Sequence, residues 1–209
     1  YMDKKIRVGI NGFGRIGRAF FKVAHERDDM EVVAINDLGD VHNLSYLLQY
    51  DTVYRVSHFD VHAEIHEDAH EQYLIVEGEG KTMRVKVIQE KDPAAIPWGD
   101  NGVDVVVEST GLFVAYDKAS AHLKGGAKAV VISAPAKKGE DESVQGETIL
   151  LGVNEEKFGT CAVTSNASCT TNATSPVIAI LDEAIGIEKA ILNTVHSYTA
   201  SQGIVDGPN

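Results

Sequence analysis

Two clusters of residues in this chain have types and spacings that could do chemistry. The first is Ser165-Asn166-Ala167-Ser168-Cys169-Thr170-Thr171-Asn172, in which a cysteine stands at the entrance to an apolar run through Val177, Ile178, Ile180 and Leu181. A helix beginning there places the thiol at the positive end of the helix dipole, which favours the thiolate and so a nucleophile near neutral pH. A lone cysteine among capping hydroxyls is more often structural. Here Ser168 and Thr170 flank Cys169, and His196 closes the β-prone run Ile191-Leu192-Asn193-Thr194-Val195. A histidine at a strand end can meet a helix N-terminus, which makes His196 the candidate general base.

The second cluster is Gly12-Phe13-Gly14-Arg15-Ile16-Gly17, a G-x-G-x-x-G followed by Asp37 twenty residues after Gly17. The spacing alone is weak, and its context gives it weight. It follows the β-prone run Ile6–Asn11 and opens a segment with apolar residues at Ile16, Ala19, Phe20, Val23 and Ala24, one face of a helix. Val32–Ile35 then reads as a second buried strand ending near Asp37. In such a βαβ unit Gly12 permits the tight turn, Gly14 admits a pyrophosphate to the backbone, and Gly17 lets helix and sheet approach. First-turn amides near Arg15 and Ile16 offer unpaired N–H groups to the anion. A carboxylate at Asp37 accepts from ribose hydroxyls and repels a 2′-phosphate, so the expected cofactor is NAD rather than NADP.

The elements that must position these clusters follow a strand-helix alternation. Val41–Leu48 reads as a helix, and Tyr73–Val76 with Met83–Ile88 as a hairpin around Gly78 and Gly80 that interrupts the alternation. Val103–Val107 and Ala129–Ile132 return to buried-strand character, with a helix between them over Val114–Leu123 that ends at Gly125-Gly126. The acidic stretch Gly139–Gly146 reads as a surface loop. Beyond it come a strand at Ala162–Thr164, a helix at Thr170–Ile185 and a strand over Ala190–Val195. The expected fold is α/β, a Rossmann-type doubly wound and mostly parallel sheet over 1–165, followed by the start of an α+β catalytic domain over 166–209.

Composition narrows the partners. A formal net charge of -12 with no basic block argues against nucleic acid. No long apolar run follows the charged start at Asp3-Lys4-Lys5, so neither a signal peptide nor a membrane span is expected there, and the cytoplasm is the default. Tyr1, ahead of Met2, reads as an added residue. With Cys161 and Cys169 the only cysteines, a free thiol in a reducing compartment fits better than a disulfide framework. His58, His62, His66 and His70 recur every four residues, yet Phe59, Val61 and Ile65 give no helical core stripe. They read as solvated surface histidines rather than a metal site.

The motifs GINGFGRIGR, AIND, YDTV, ESTG, ISAPAK, SNASCTTN and HSYTASQ, spread over the whole chain, resemble the phosphorylating, NAD-dependent glyceraldehyde-3-phosphate dehydrogenase family. The resemblance implies that Cys169 is the nucleophile and His196 the base that activates it. It further implies that Ser168, Cys169, Thr170 and Thr199 bind substrate, and that Gly12, Gly14, Arg15, Ile16, Gly17 and Asp37 hold NAD. Ser133 would reach the nicotinamide side and Lys91 the adenosine, where the family often has arginine. The implied reaction, a step of glycolysis, oxidises glyceraldehyde 3-phosphate to 1,3-bisphosphoglycerate with NAD and inorganic phosphate through a cysteine thioester. The implied full-length assembly is a homotetramer.

The chain departs from the family pattern at Ala173, where a second cysteine is common. It closes on Asp206-Gly207-Pro208-Asn209, in what resembles a loop approaching a neighbouring subunit's cofactor. Most of the second domain would then lie beyond it, including a further phosphate-binding arginine, the asparagine that holds the nicotinamide amide and a C-terminal helix. Two other readings stay open: an erythrose-4-phosphate dehydrogenase, against which Thr199 speaks, and an inactive NAD-binding fragment.

Overall fold

The computed structural model describes residues 5–78, 80–199, 203 and 206–207. The readings of Tyr1, of Ala200-Ser201-Gln202 and of Pro208-Asn209 lie outside the described residues. In chain order the elements are β1 (Ile6–Asn11), α1 (Arg15–His25), β2 (Met30–Asn36), α2 (Val41–Gln49), β3 (Tyr50–Asp51), β4 (Arg55–Val56), β5 (Asp60–His66), β6 (Glu71–Gly78), β7 (Lys81–Ile88) and β8 (Val105–Glu108). There follow α3 (Tyr116–Ala119), α4 (Ala121–Lys124), β9 (Ala129–Ile132), β10 (Gly146–Thr148), β11 (Val163–Ser165) and α5 (Cys169–Ile185).

Among the described residues one nine-stranded sheet runs in the order β10-β11-β9-β8-β1-β2-β7-β6-β5. The strands from β10 to β7 pair in parallel, and β7, β6 and β5 form an antiparallel meander. The Rossmann-type α/β architecture expected from the βαβ unit is therefore present, and β1 lies at its centre. Parallel strands are covered on both faces, which is why β1, β2 and β8 read as nearly continuous apolar runs. One part of the core packs Phe13, Phe21, Ile35, Leu44 and Leu48 against the meander; another surrounds the fully buried Trp98.

The meander is larger than the sequence suggested. The expected hairpin is β6–β7, but β5 adds a third strand, and β7 joins the parallel sheet by pairing with β2. His62 and His66 stand on β5 with their side chains outward, and His58 and His70 flank it, all four exposed. Their four-residue recurrence therefore belongs to a strand and its turns. The helix expected over Val114–Leu123 divides at Ser120 into α3 and α4.

The strand expected over Ala190–Val195 does not form; residues 190–199 hold neither helix nor strand. Ile191 and Val195 are essentially fully exposed, at 99% and 102%, so no described strand lies alongside to accept the ladder. β-Branched composition favours a strand only where a neighbour supplies hydrogen bonds and packing.

Gly17 shows how closely α1 approaches the sheet. A Cβ built there would lie 2.2 Å from the carbonyl oxygen of Gly12, a backbone atom that cannot swing aside. In an ordinary helix Gly→Ala stabilises by about 0.5–1 kcal/mol. Here overlap costing about 1–3 kcal/mol outweighs that gain. Gly17→Ala is expected to lower the urea midpoint of unfolding, and an unchanged or raised midpoint would refute this reading of the contact.

Candidate active site

The dinucleotide turn is assembled from the ends of adjacent parallel strands. Gly12 leaves β1 with φ +89°, a conformation that favours glycine, and its N–H donates to the Asn36 carbonyl of β2 at 2.8 Å. Asp37, just past β2, accepts from the Phe13 N–H at 2.6 Å and from the Gly39 N–H at 2.8 Å. Its carboxylate thereby ties the glycine turn to the second strand and retains acceptor capacity for hydroxyl donors. Side chains cap α2 and α5 through Asp40 and Ser168, whereas no side chain caps α1 at Gly14. A Cβ at Gly14 would meet nothing within 4 Å, so the approach to the first turn of α1 is open.

The Arg15 guanidinium is engaged by acidic and aromatic neighbours. It pairs with Asp51, lies 3.8 Å from a carboxylate oxygen of Asp206, and sits 5.5 Å from the centre of the Tyr54 ring. Burial pushes the Asp51 carboxyl up, but the Tyr54 and Val53 N–H groups and Arg15 together bring it below the ordinary carboxylate range. Lys91 is exposed on the loop after β7, which adjoins the end of β2 through Asn36 and Glu90. Ser133, just past β9, donates from both N–H and Oγ to the Glu108 carbonyl, at 2.9 and 3.0 Å.

The thiol is presented by a strained turn. Between β11 and α5, Ala167 takes φ +61°, an unfavourable conformation for a residue with a Cβ. Ser165 Oγ holds the turn by accepting the Ala167 N–H at 3.0 Å and donating to the Ala134 carbonyl at 2.6 Å. Ser168 caps α5 by accepting the Thr171 N–H at 3.0 Å, which leaves Cys169 as the first helical residue, exposed.

His196 Nε2 lies 3.1 Å from Cys169 Sγ, and its Nδ1 donates to the Ser197 carbonyl at 2.6 Å. The hydrogen bond from His196 is the chief cause lowering the thiol below its ordinary value, helped by the Thr170 N–H. His196 is raised, first by the Ser197 carbonyl and then by the thiol. Both shifts favour thiolate and imidazolium over thiol and imidazole.

A cleft of about 1010 Å³ brings the two clusters together, with Arg15, Ile16, Ser133, Ser168, Cys169 and Thr199 among its lining. Thr170 and His196 line an adjoining cavity that shares Cys169. Asp37 and Lys91 stand apart, toward β2 and β7. Sequence reasoning assigned no role to Glu108, Asp51 or Ala167, although ESTG and YDTV contain the first two. Among the described residues no group of three or more His, Cys, Asp or Glu is placed to hold a metal ion, and no helix is long and apolar enough to cross a membrane.

Fold and site together define a Rossmann-type dinucleotide-binding protein with a histidine-paired thiol beside the cofactor cleft. The family of sequences described as "Glyceraldehyde 3-phosphate dehydrogenase, NAD binding domain" matches residues 6–116, and that described as its "C-terminal domain" matches residues 168–209. The chain therefore belongs to the glyceraldehyde-3-phosphate dehydrogenase family. It is 47% identical over 207 residues to the glyceraldehyde-3-phosphate dehydrogenase of Streptomyces coelicolor, an alignment covering 98% of this chain and 57% of that protein. Similarity to glyceraldehyde-3-phosphate dehydrogenase 1 of Bacillus cereus is 46% over 205 residues, covering 97% and 57%. That to the Cryphonectria parasitica enzyme is 45% over 206 residues, covering 98% and 56%. The chain thus spans little more than half the length of these relatives. The uncapped α1 and the open approach to Gly14 fit the NAD of the family description.

Proposed function

We propose that the full-length protein carrying this chain oxidises glyceraldehyde 3-phosphate to 1,3-bisphosphoglycerate with NAD and inorganic phosphate, as a cytoplasmic homotetramer. The observation that carries the reading is the 3.1 Å approach of His196 to Cys169 at a cleft lined also by Arg15 and Ile16 of the dinucleotide turn. Bound NAD supplies the acceptor for the hydride lost by the substrate carbon. Cys169 adds as thiolate to the aldehyde, and the His196 imidazolium protonates the resulting alkoxide to give a hemithioacetal. His196 takes the hydroxyl proton as the carbonyl re-forms and the carbon becomes a thioester. Phosphate then attacks the thioester carbonyl, the C–S bond breaks, and the acyl phosphate leaves with the thiolate restored. Gly12, Gly14, Arg15, Ile16, Gly17 and Asp37 hold the cofactor, with Ser133 on the nicotinamide side and Lys91 near the adenosine. Ser168, Thr170 and Thr199 contact the substrate, their hydroxyls suited to its phosphate.

The test is NADH absorbance with the full-length protein, run with and without inorganic phosphate and with erythrose 4-phosphate as a competing aldehyde. NADH production that depends on phosphate and favours glyceraldehyde 3-phosphate is expected. Faster turnover of erythrose 4-phosphate would overturn the substrate assignment, and NAD binding without turnover would overturn the catalytic one.

A further inference from the structure

A buried polar chain runs beneath the dinucleotide turn and is not accounted for by any step of the reaction. Asn36, Asn11 and Glu108 end the neighbouring strands β2, β1 and β8 and stand in register, 5%, 1% and 2% exposed. Buried polar groups are costly unless paired, and these are paired in one direction. The Glu90 N–H donates to Asn36 Oδ1 at 2.8 Å, Asn36 Nδ2 donates to Asn11 Oδ1 at 2.8 Å, and Asn11 Nδ2 donates to Glu108 Oε2. His122 Nε2 lies 3.0 Å from the same carboxylate oxygen. Trp98 Nε1 donates to His122 Nδ1 at 3.0 Å; since an indole N–H only donates, the His122 proton sits on Nε2, facing Glu108. The other carboxylate oxygen accepts from both the N–H and the hydroxyl of Thr110.

The Glu108 carboxylate is therefore the shared acceptor of four donors, two of them from the Ser109-Thr110 turn. A Cβ on Gly12 would lie 2.7 Å from the Thr110 nitrogen, so the Ser109-Thr110 turn is set directly against the glycine turn. Ser109 Oγ donates to the Gly12 carbonyl at 2.7 Å, and the Glu108 main-chain carbonyl anchors Ser133. On the adenosine side Asp37 is held outside this network, by the Phe13 and Gly39 N–H groups. We propose that the Glu108 carboxylate, braced by His122 and Trp98, is a positioning group for the nicotinamide side of the cofactor site, acting through the Ser109-Thr110 turn that it holds against the glycine turn. The inference rests on the NAD reading above.

The test compares binding of NAD and of ADP-ribose, which lacks the nicotinamide, in the full-length protein. Glu108→Gln keeps the shape but converts one acceptor oxygen to an NH₂, which must face either the two Thr110 donors or the Asn11 and His122 donors. NAD affinity is expected to fall about tenfold while ADP-ribose affinity stays within about twofold, with the KM for NAD rising and that for aldehyde unmoved. Trp98→Phe, which removes the indole N–H brace on His122 together with part of a buried ring, should show the same selectivity at about threefold; loss of packing alone would weaken both ligands alike, so the selectivity decides the matter if Glu108→Gln does not fold. Equal weakening of both ligands, or no change in a folded variant, overturns the proposal. A wild-type protein that binds neither ligand overturns the NAD reading and this inference with it.

Discussion

In the full-length protein, replacing Cys169 with serine should remove the proposed phosphate-dependent NADH formation, with kcat/KM falling by about ten-thousand-fold or more while NAD still binds. The size follows from what the site does to the atom. Helix α5, the Thr170 N–H and the His196 ring all act to put negative charge on the residue at position 169. A thiol responds by ionising near neutrality; a serine hydroxyl in the same place stays protonated. The serine analogue of the thioester would also be an ordinary ester, a poorer acyl donor to phosphate. Binding should survive because the turn of Gly12, Gly14 and Asp37 is held by its own main-chain bonds, none of which involves Cys169. A serine variant retaining activity within about tenfold of the parent would end the case for covalent catalysis at this position.

The parts of this molecule that were legible in the sequence are those set by local chain geometry. The Gly12–Gly17 spacing, the apolar stripe of α1 and the position of Asp37 after β2 all lie within one βαβ unit, where a few residues dictate the backbone. The entrance of α5 was readable for the same reason, since Ser168 is a strong cap and Cys169 follows it. What depends on distant partners was not legible. The run from Ala190 to Val195 has a strand's composition but no described neighbour, so it carries His196 to the thiol without forming a ladder. β5 escaped notice because its outward positions carry His62 and His66, and the segment reads only as a run of solvated surface histidines. The left-handed Ala167 is invisible in a sequence, because alanine gives no sign of positive φ. The Glu108 network joins residues up to 111 positions apart, Asn11 to His122, and no short motif announces it.

His196→Asn tests the pair from its other side, and its effect should be the second largest. On the proposed reaction of the full-length protein two functions are lost together: the base that takes the hydroxyl proton, for which a loss of about a hundred- to ten-thousand-fold in kcat/KM is expected, and the partner that favours the thiolate. These separate in a pH series of iodoacetamide alkylation, which counts thiolate directly and needs no substrate. In the parent the His196 hydrogen bond lowers the thiol's titration, so alkylation of Cys169 should rise at a pH below that of an ordinary thiol. His196 itself is raised, by the Ser197 carbonyl first and the thiol second, so the cation persists to higher pH than in a free histidine and extends the range over which the thiolate is paired. Asparagine cannot carry that charge. In the variant the rise should move toward higher pH, with only the Thr170 N–H and the helix end still favouring the thiolate, and alkylation near neutrality should fall. Cys161, whose thiol donates to the Val163 carbonyl at 3.2 Å and takes no part in the pair, serves as the internal standard in both proteins. A profile for Cys169 that is the same in parent and variant would show that His196 does not tune the thiol, and would leave any loss of turnover to be explained by proton transfer alone.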